Sequence, residues 1–134
     1  MPKKDVSSRL AAVERQLADI RVRAVEASEF RLVDKSGKVR AVLEMSRMGP
    51  RLVMMHADGT AALEVSLPPD GPAVRLSDQD GETRVFMGGT HDAARIALAD
   101  SKGNQRMFLG VNAAGKPSLT VYDGKQKAVW TAPE

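Results

Sequence analysis

The chain has 134 residues, enough for one domain of ordinary size and too few for two. Hydrophobic residues make up 43%, so a core can form, whereas aromatics reach only 4%. The formal charge of +3 is too mild to argue for a nucleic acid partner, the lack of cysteine excludes disulfides, thiol nucleophiles and thiolate metal sites, and no run of about 18 apolar residues is present to cross a membrane as a helix.

Residues 1–5, Met1-Pro2-Lys3-Lys4-Asp5, read as a polar tail. The stretch after them is charged and amphipathic, unlike the apolar centre of a signal peptide, which predicts cytoplasmic synthesis and leaves the final location open. From 6 to 28 the apolar residues fall at Val6, Leu10, Val13, Leu17, Ile20, Ala24 and Ala27. Alternating steps of four and three make a heptad seam, with Leu10, Leu17 and Ala24 at a and Val6, Val13, Ile20 and Ala27 at d. So narrow a stripe suits a coiled coil better than a helix lying on a globular core. Asp5 or Ser7 is the expected cap. Leucine at a with β-branched residues at d favours three or four strands over two. Three heptads are marginal alone, so the downstream chain is expected to help hold the copies together.

From residue 29 to 134 the sequence repeats with a period of 22, in units near 30–48, 49–70, 71–92, 93–114 and 115–132. Phe30, Leu52, Val74 and Ile96 are equivalent, as are Leu32, Met54, Leu76 and Leu98. Gly37, Gly59, Gly81 and Gly103 recur without exception in the first four units. Asp34, His56, Asp78 and Asp100 stand three before these glycines, and Arg40, Ala62, Arg84 and Arg106 three after. The fifth unit has a shortened turn at Asp123-Gly124. Asp-x-x-Gly fits a type I turn, so each unit reads as two antiparallel strands. With Asp34 and Gly37 as the last pair of a hairpin, Leu32 lies opposite Val39 and Phe30 opposite Ala41. One face then collects Phe30, Leu32, Val39, Ala41 and Leu43, followed by Leu52, Met54, Ala61, Leu63 and Val65. Units three and four add Val74, Leu76, Thr83, Val85, Met87, Ile96, Leu98, Gln105, Met107 and Leu109. The other face carries Arg31, Lys38, Arg40, Glu64, Arg75, Glu82, Arg84, Arg95, Asn104 and Arg106.

Such a meander of eight to ten strands has one apolar face. Burial of each aliphatic side chain contributes about 1.5–3 kcal/mol, so that face must be covered. The sheet can close into a barrel, the helix can lie across it, or several copies can set their sheets face to face around an axis. The third route uses the symmetry of the coiled coil as well. The expected fold is therefore mostly β with an N-terminal helix: a coiled coil followed by a 22-residue-repeat antiparallel β-meander, forming a three-sided β-prism in a homotrimer. On the heptads from Val6 to Ala27 and the repeat from Phe30 to Trp130, this organisation resembles the stalk and spike modules of phage tail fibres and related bacterial trimeric fibres. The resemblance implies a structural or assembly role as a fibre, spike or scaffold element.

Enzymatic constellations are thin, and neither a catalytic site nor a cofactor or metal site is expected. His56 reads as a turn substitute for Asp. His91-Asp92 has no third ligand nearby in sequence. Asp78-Gln79-Asp80-Gly81 offers few of the six to eight oxygens that calcium takes, and turn formation accounts for its carboxylates. One candidate partner strip remains on the polar face: Arg40, Arg84, Phe86, Arg106 and Phe108. A solvated face explains these arginines, but exposed aromatics at equivalent positions of adjacent repeats also suit a partner. The expected partners are further copies of the chain, then another protein or a polysaccharide. A membrane is not expected, and nucleic acid is disfavoured.

Overall fold

The computed structural model describes residues 4–19 and 25–133. It contains one helix, α1 (Lys4–Asp19), and ten strands: β1 (Glu29–Val33), β2 (Val39–Ser46), β3 (Gly49–Met55), β4 (Ala61–Ser66), β5 (Ala73–Ser77), β6 (Thr83–Gly89), β7 (Ala94–Ala99), β8 (Gln105–Val111), β9 (Pro117–Tyr122) and β10 (Ala128–Ala132). Every strand pairs antiparallel with its neighbours in sequence, giving one ten-stranded sheet in the order β1 to β10. The fold is mostly β with an N-terminal helix, as the alternation and turn spacing predict.

Helix α1 starts earlier than the spacing suggests, at Lys4. Asp5 is therefore in the first turn, where a negative charge suits the helix dipole, and neither it nor Ser7 is the cap. Ile20 and Ala24 of the heptad lie outside the described residues. Residues 25–28 are not helical, so the helix expected through 28 ends sooner and Ala27 leaves the seam. The cause lies in the sheet. The Met45 amide donates to the Ser28 carbonyl at 3.0 Å, extending the β1–β2 ladder backwards and drawing this segment out. Val6, Leu10 and Val13 are exposed on α1. Among the described residues, no contacts join α1 to any strand.

The hairpin turns share one geometry. In the first, the Gly37 amide donates to the Asp34 carbonyl at 2.9 Å, and the Asp34 amide donates to the Lys38 carbonyl at 2.9 Å. The Asp34 carboxylate accepts from the amides of Ser36 (2.8 Å) and Lys38 (3.1 Å). Asp78, Asp100, Asn112 and Asp123 repeat that pair of side-chain bonds in their own turns. The last turn is not shortened. Asp123 to Gln126 has the same length as the others, with Gln126 at φ 63° where its sisters place glycine. Likewise Gly115 closes an Asn-x-x-Gly turn of this type between β8 and β9.

A bulge comes after each of the first four Asp- or His-x-x-Gly turns and corrects the expected register. Leu32 pairs with Ala41 and Phe30 with Leu43, two residues further along than turn chemistry alone suggests. A shift of two preserves the faces of the strand bodies. Beside the bulge it does not: Val39 and Ala61, expected on the apolar face, line a hollow on the other one with Val42 and Val53.

Two apolar rows cross the whole sheet. One runs Phe30, Leu43, Leu52, Val65, Val74, Met87, Ile96, Leu109, Leu119, Ala132, and the other Leu32, Ala41, Met54, Leu63, Leu76, Val85, Leu98, Met107, Val121, Trp130. Nothing in the described chain covers them: Leu32 is 63% exposed, Leu43 50% and Met54 48%. The best buried apolar side chains, Val42, Val53 and Ala73, lie on the opposite face. The sheet is a single layer, and β1 and β10 do not pair to close it.

Candidate functional site

The face opposite the apolar rows also has ordered rows. Arg31, Val42, Val53, Glu64, Arg75, Phe86, Ala97, Phe108, Thr120 and Thr131 are successive register partners. Beside them run Glu29, Glu44, Arg51, Ser66, Ala73, Gly88, Arg95, Gly110 and Ser118. In the first half the charges neutralise one another. Arg31 pairs with Glu29, Arg51 with Glu44, and Arg75 with Glu64 at 3.4 Å. In the second half, acids give way to glycine and phenylalanine.

There the face is hollowed into a groove of about 540 Å³, lined by residues that include Pro68, Pro72, Arg75, Phe86, Gly88, Arg95, Phe108 and Gly110. The hollow arises from two Phe-x-Gly triplets one repeat apart. Residues two apart on a strand share a face, so Phe86 leans over Gly88 and Phe108 over Gly110. A Cβ on Gly88 would stand 2.7 Å from Cζ of Phe86, and one on Gly110 would stand 2.7 Å from Cζ of Phe108. Only glycine leaves room for the rings to lie down. Arg95, register partner of both glycines, sets its guanidinium 4.8 Å from the centre of the Phe86 ring, and Arg75 sets its own at 5.8 Å. Distances under about 6 Å give cation–π attraction.

The expected strip is thus divided. Phe86 and Phe108 come together in the groove, but Arg40, Arg84 and Arg106 are not among its lining residues. Arg40 donates to the His56 carbonyl at 2.9 Å, and Arg84 donates to the Ala99 carbonyl at 2.9 Å while facing Asp78 at 3.4 Å. Arg106 lies between two turns and lowers the carboxyl pKa values of both Asp100 and Asp123. These arginines tie each turn to the next. The second unit has Ala62 in that place, and there His56 Nε2 lies 3.2 Å from the Ser77 carbonyl and makes the link instead. His56 is more than a turn substitute. The signal for this is present in the sequence, since among the first four units the one that lacks the arginine is the one that has the histidine.

Four turn carboxylates, Asp34, Asp58, Asp100 and Asp123, are held below their ordinary value. At Asp34 the Ser36 hydroxyl is the main cause, helped by backbone amides. At Asp58 it is the Thr60 amide and hydroxyl. At Asp123 the amides of Lys127 and Lys125 dominate. At Asp100 desolvation pushes upward, and the hydrogen bonds from Lys102 and Asn104 outweigh it. Asp78 spends one oxygen on two backbone amides and turns the other to Arg84. His91 and Asp92 are exposed, 3.8 Å apart. Among the described residues no cluster of three or more His, Asp or Glu is placed to hold a metal ion.

Alternation assigns Arg95 and Arg75 to the polar face but not to the strip. Their place against Phe86 depends on cross-strand register, which the turn pattern alone misplaces. No protein-family model matches the chain, and no curated protein shows significant similarity to it.

Proposed function

We propose that the protein is a non-enzymatic structural or assembly element that functions as a homotrimer, a fibre, spike or scaffold component. The uncovered pair of apolar rows carries this reading. Within one chain the sheet does not close, and α1 makes no contact with it among the described residues. Two of the three ways of covering the face are therefore not used, which favours the third, a face shared between copies.

Surface area supports the reading. The chain exposes 10680 Å². A compact monomer of 14.4 kDa exposes about 6,800 Å². The excess, about 3,800 Å², exceeds the roughly 800 Å² per partner of an ordinary interface several times over.

Shape favours three copies. Ten strands spaced about 4.8 Å apart make a stripe about 45 Å long, and two rows make it only about 7 Å wide between side-chain origins. Strand twist of about 20–25° per step turns the stripe through about 200° along its length. Narrow winding stripes fit together around a common axis better than as two flat layers. The α1 seam, with leucine at a and valine at d, favours three or four copies over two. The likeness to phage tail fibre stalks rests on this organisation.

Solution mass by light scattering tests the proposal. The expected result for the full chain is three times 14.4 kDa. A chain beginning at Glu29 should remain associated if the apolar rows hold the assembly. A monomeric full-length protein would overturn the proposal.

A further inference from the structure

We propose that the groove on the outer face binds an acidic saccharide unit, with the carboxylate on Arg95 and the sugar ring against Phe108.

The first observation is electrostatic. Of the four arginines in the two central rows of this face, Arg31, Arg51 and Arg75 each have a glutamate partner. Arg95 has no ion pair among the described residues. Its two register partners are glycines, and its guanidinium rests on the Phe86 ring. That ring holds the planar fork in place without consuming its hydrogen bonds. A guanidinium so positioned suits a carboxylate, which it can meet through two parallel N–H donors.

The second observation concerns the aromatics. Phe86 has its ring occupied by Arg95. Phe108 lies down over its own glycine in the same way, but on the strand that follows, Gly110 pairs with Ser118 where Gly88 pairs with Arg95, and no cation is seated on this ring among the described residues. An open aromatic face beside a free guanidinium offers stacking and charge to one ligand. Thr90 and Ser118 on the groove wall add hydroxyls, and Asp70, the one acid among the lining residues, makes no ion pair with Arg95. That combination matches a hydroxylated ring bearing a carboxylate better than an acidic peptide, which has no ring to stack. The groove lies opposite the apolar rows, so it stays open if those rows close against other copies, and it does not require that they do.

The test is an NMR titration of the full chain. The probes are a uronic-acid tetrasaccharide, a neutral glucose tetrasaccharide, sodium acetate and tetraglutamate. The uronide should shift the resonances of Arg95, Phe108 and Gly110, with millimolar or tighter affinity. Arg95→Gln should weaken the uronide roughly tenfold, the loss of a charge-assisted pair. Phe108→Leu should weaken the uronide and leave weak acetate binding unchanged. Both side chains lie on the surface layer, and retained circular dichroism confirms folding. Tetraglutamate binding as well as the uronide would transfer the site to acidic peptides and overturn the proposal. So would equal binding of the neutral glycan, unchanged affinity in Arg95→Gln, or no shift from the uronide at about 20 mM. The titration reads the groove in any oligomeric state, so its failure is distinguishable from a failure of the trimer.

Discussion

At the scale of single residues, backbone strain and close approach make opposite demands. Gln126 occupies a left-handed position that its sister turns give to glycine. Such a conformation costs a non-glycine residue about 1 kcal/mol. Gln126→Gly should therefore stabilise the fold by about that much, read as a higher urea midpoint at fixed chain concentration. Gly71 shows the reverse. It has φ 126°, and a Cβ there would overlap the Gly89 carbonyl of the neighbouring hairpin. Gly71→Ala should cost several times more than Gly37→Ala, whose Cβ would meet open space; an equal loss of urea midpoint in both would refute the close approach. The carboxylates add a pH dependence. Asp34, Asp58, Asp100 and Asp123 are more acidic in the folded protein than in the unfolded chain. Their stabilisation is complete above the unfolded value near 3.8 and is lost as pH falls through the lower folded values. Replacing Asp34, Asp100 and Asp123 by Asn, which already does this work at position 112, should make stability fall less steeply between about pH 4 and pH 2.

Elements are joined by turn-to-turn links, and here the repeat is uneven in an informative way. Arg40 and Arg84 bond a carbonyl of the next turn, while His56 serves the unit that has Ala62. His56→Ala should destabilise by about 1 kcal/mol, the worth of one such hydrogen bond. Ala62→Arg introduced into that variant should restore most of the loss. A double variant no more stable than His56→Ala would show that the two positions do not perform one task. The strands themselves were legible from alternation, since a shift of two residues leaves every strand body on its expected face. The bulge was not legible, because it arises where the turn's bonding pattern meets the cross-strand ladder, and neither is visible as a residue pattern. It moves Val39 and Ala61 to the other side. The end of α1 was equally hidden: the heptad spacing continues to Ala27, but the ladder drawn back to Ser28 wins over it.

At the scale of the whole molecule, the ten strands form a layer that no second layer covers among the described residues. Its rows are apolar at every one of the ten strands on one face and mixed on the other. Arg75 and Leu76 are adjacent in β5 and point to opposite faces. Leu76→Asp should therefore abolish assembly or folding, whereas Arg75→Asp should leave solution mass unchanged and lower the thermal unfolding temperature only slightly, by the like charge it sets opposite Glu64. Equal tolerance of the two would contradict the assignment of the apolar rows to a buried interface.

The period, an antiparallel meander of eight to ten strands, the first four hairpin turns and the identity of the apolar face came from the sequence by itself, because each depends on residues close together in the chain: an aspartate reaching amides two and four residues on, or side chains alternating along a strand. The link from Arg84 to Ala99, the exchange of His56 for an arginine, and the groove that sets Arg95 on Phe86 were decided by the tertiary structure. They join residues of different strands, and their distances depend on a register that the turn's closing pair and the bulge together displace by two residues.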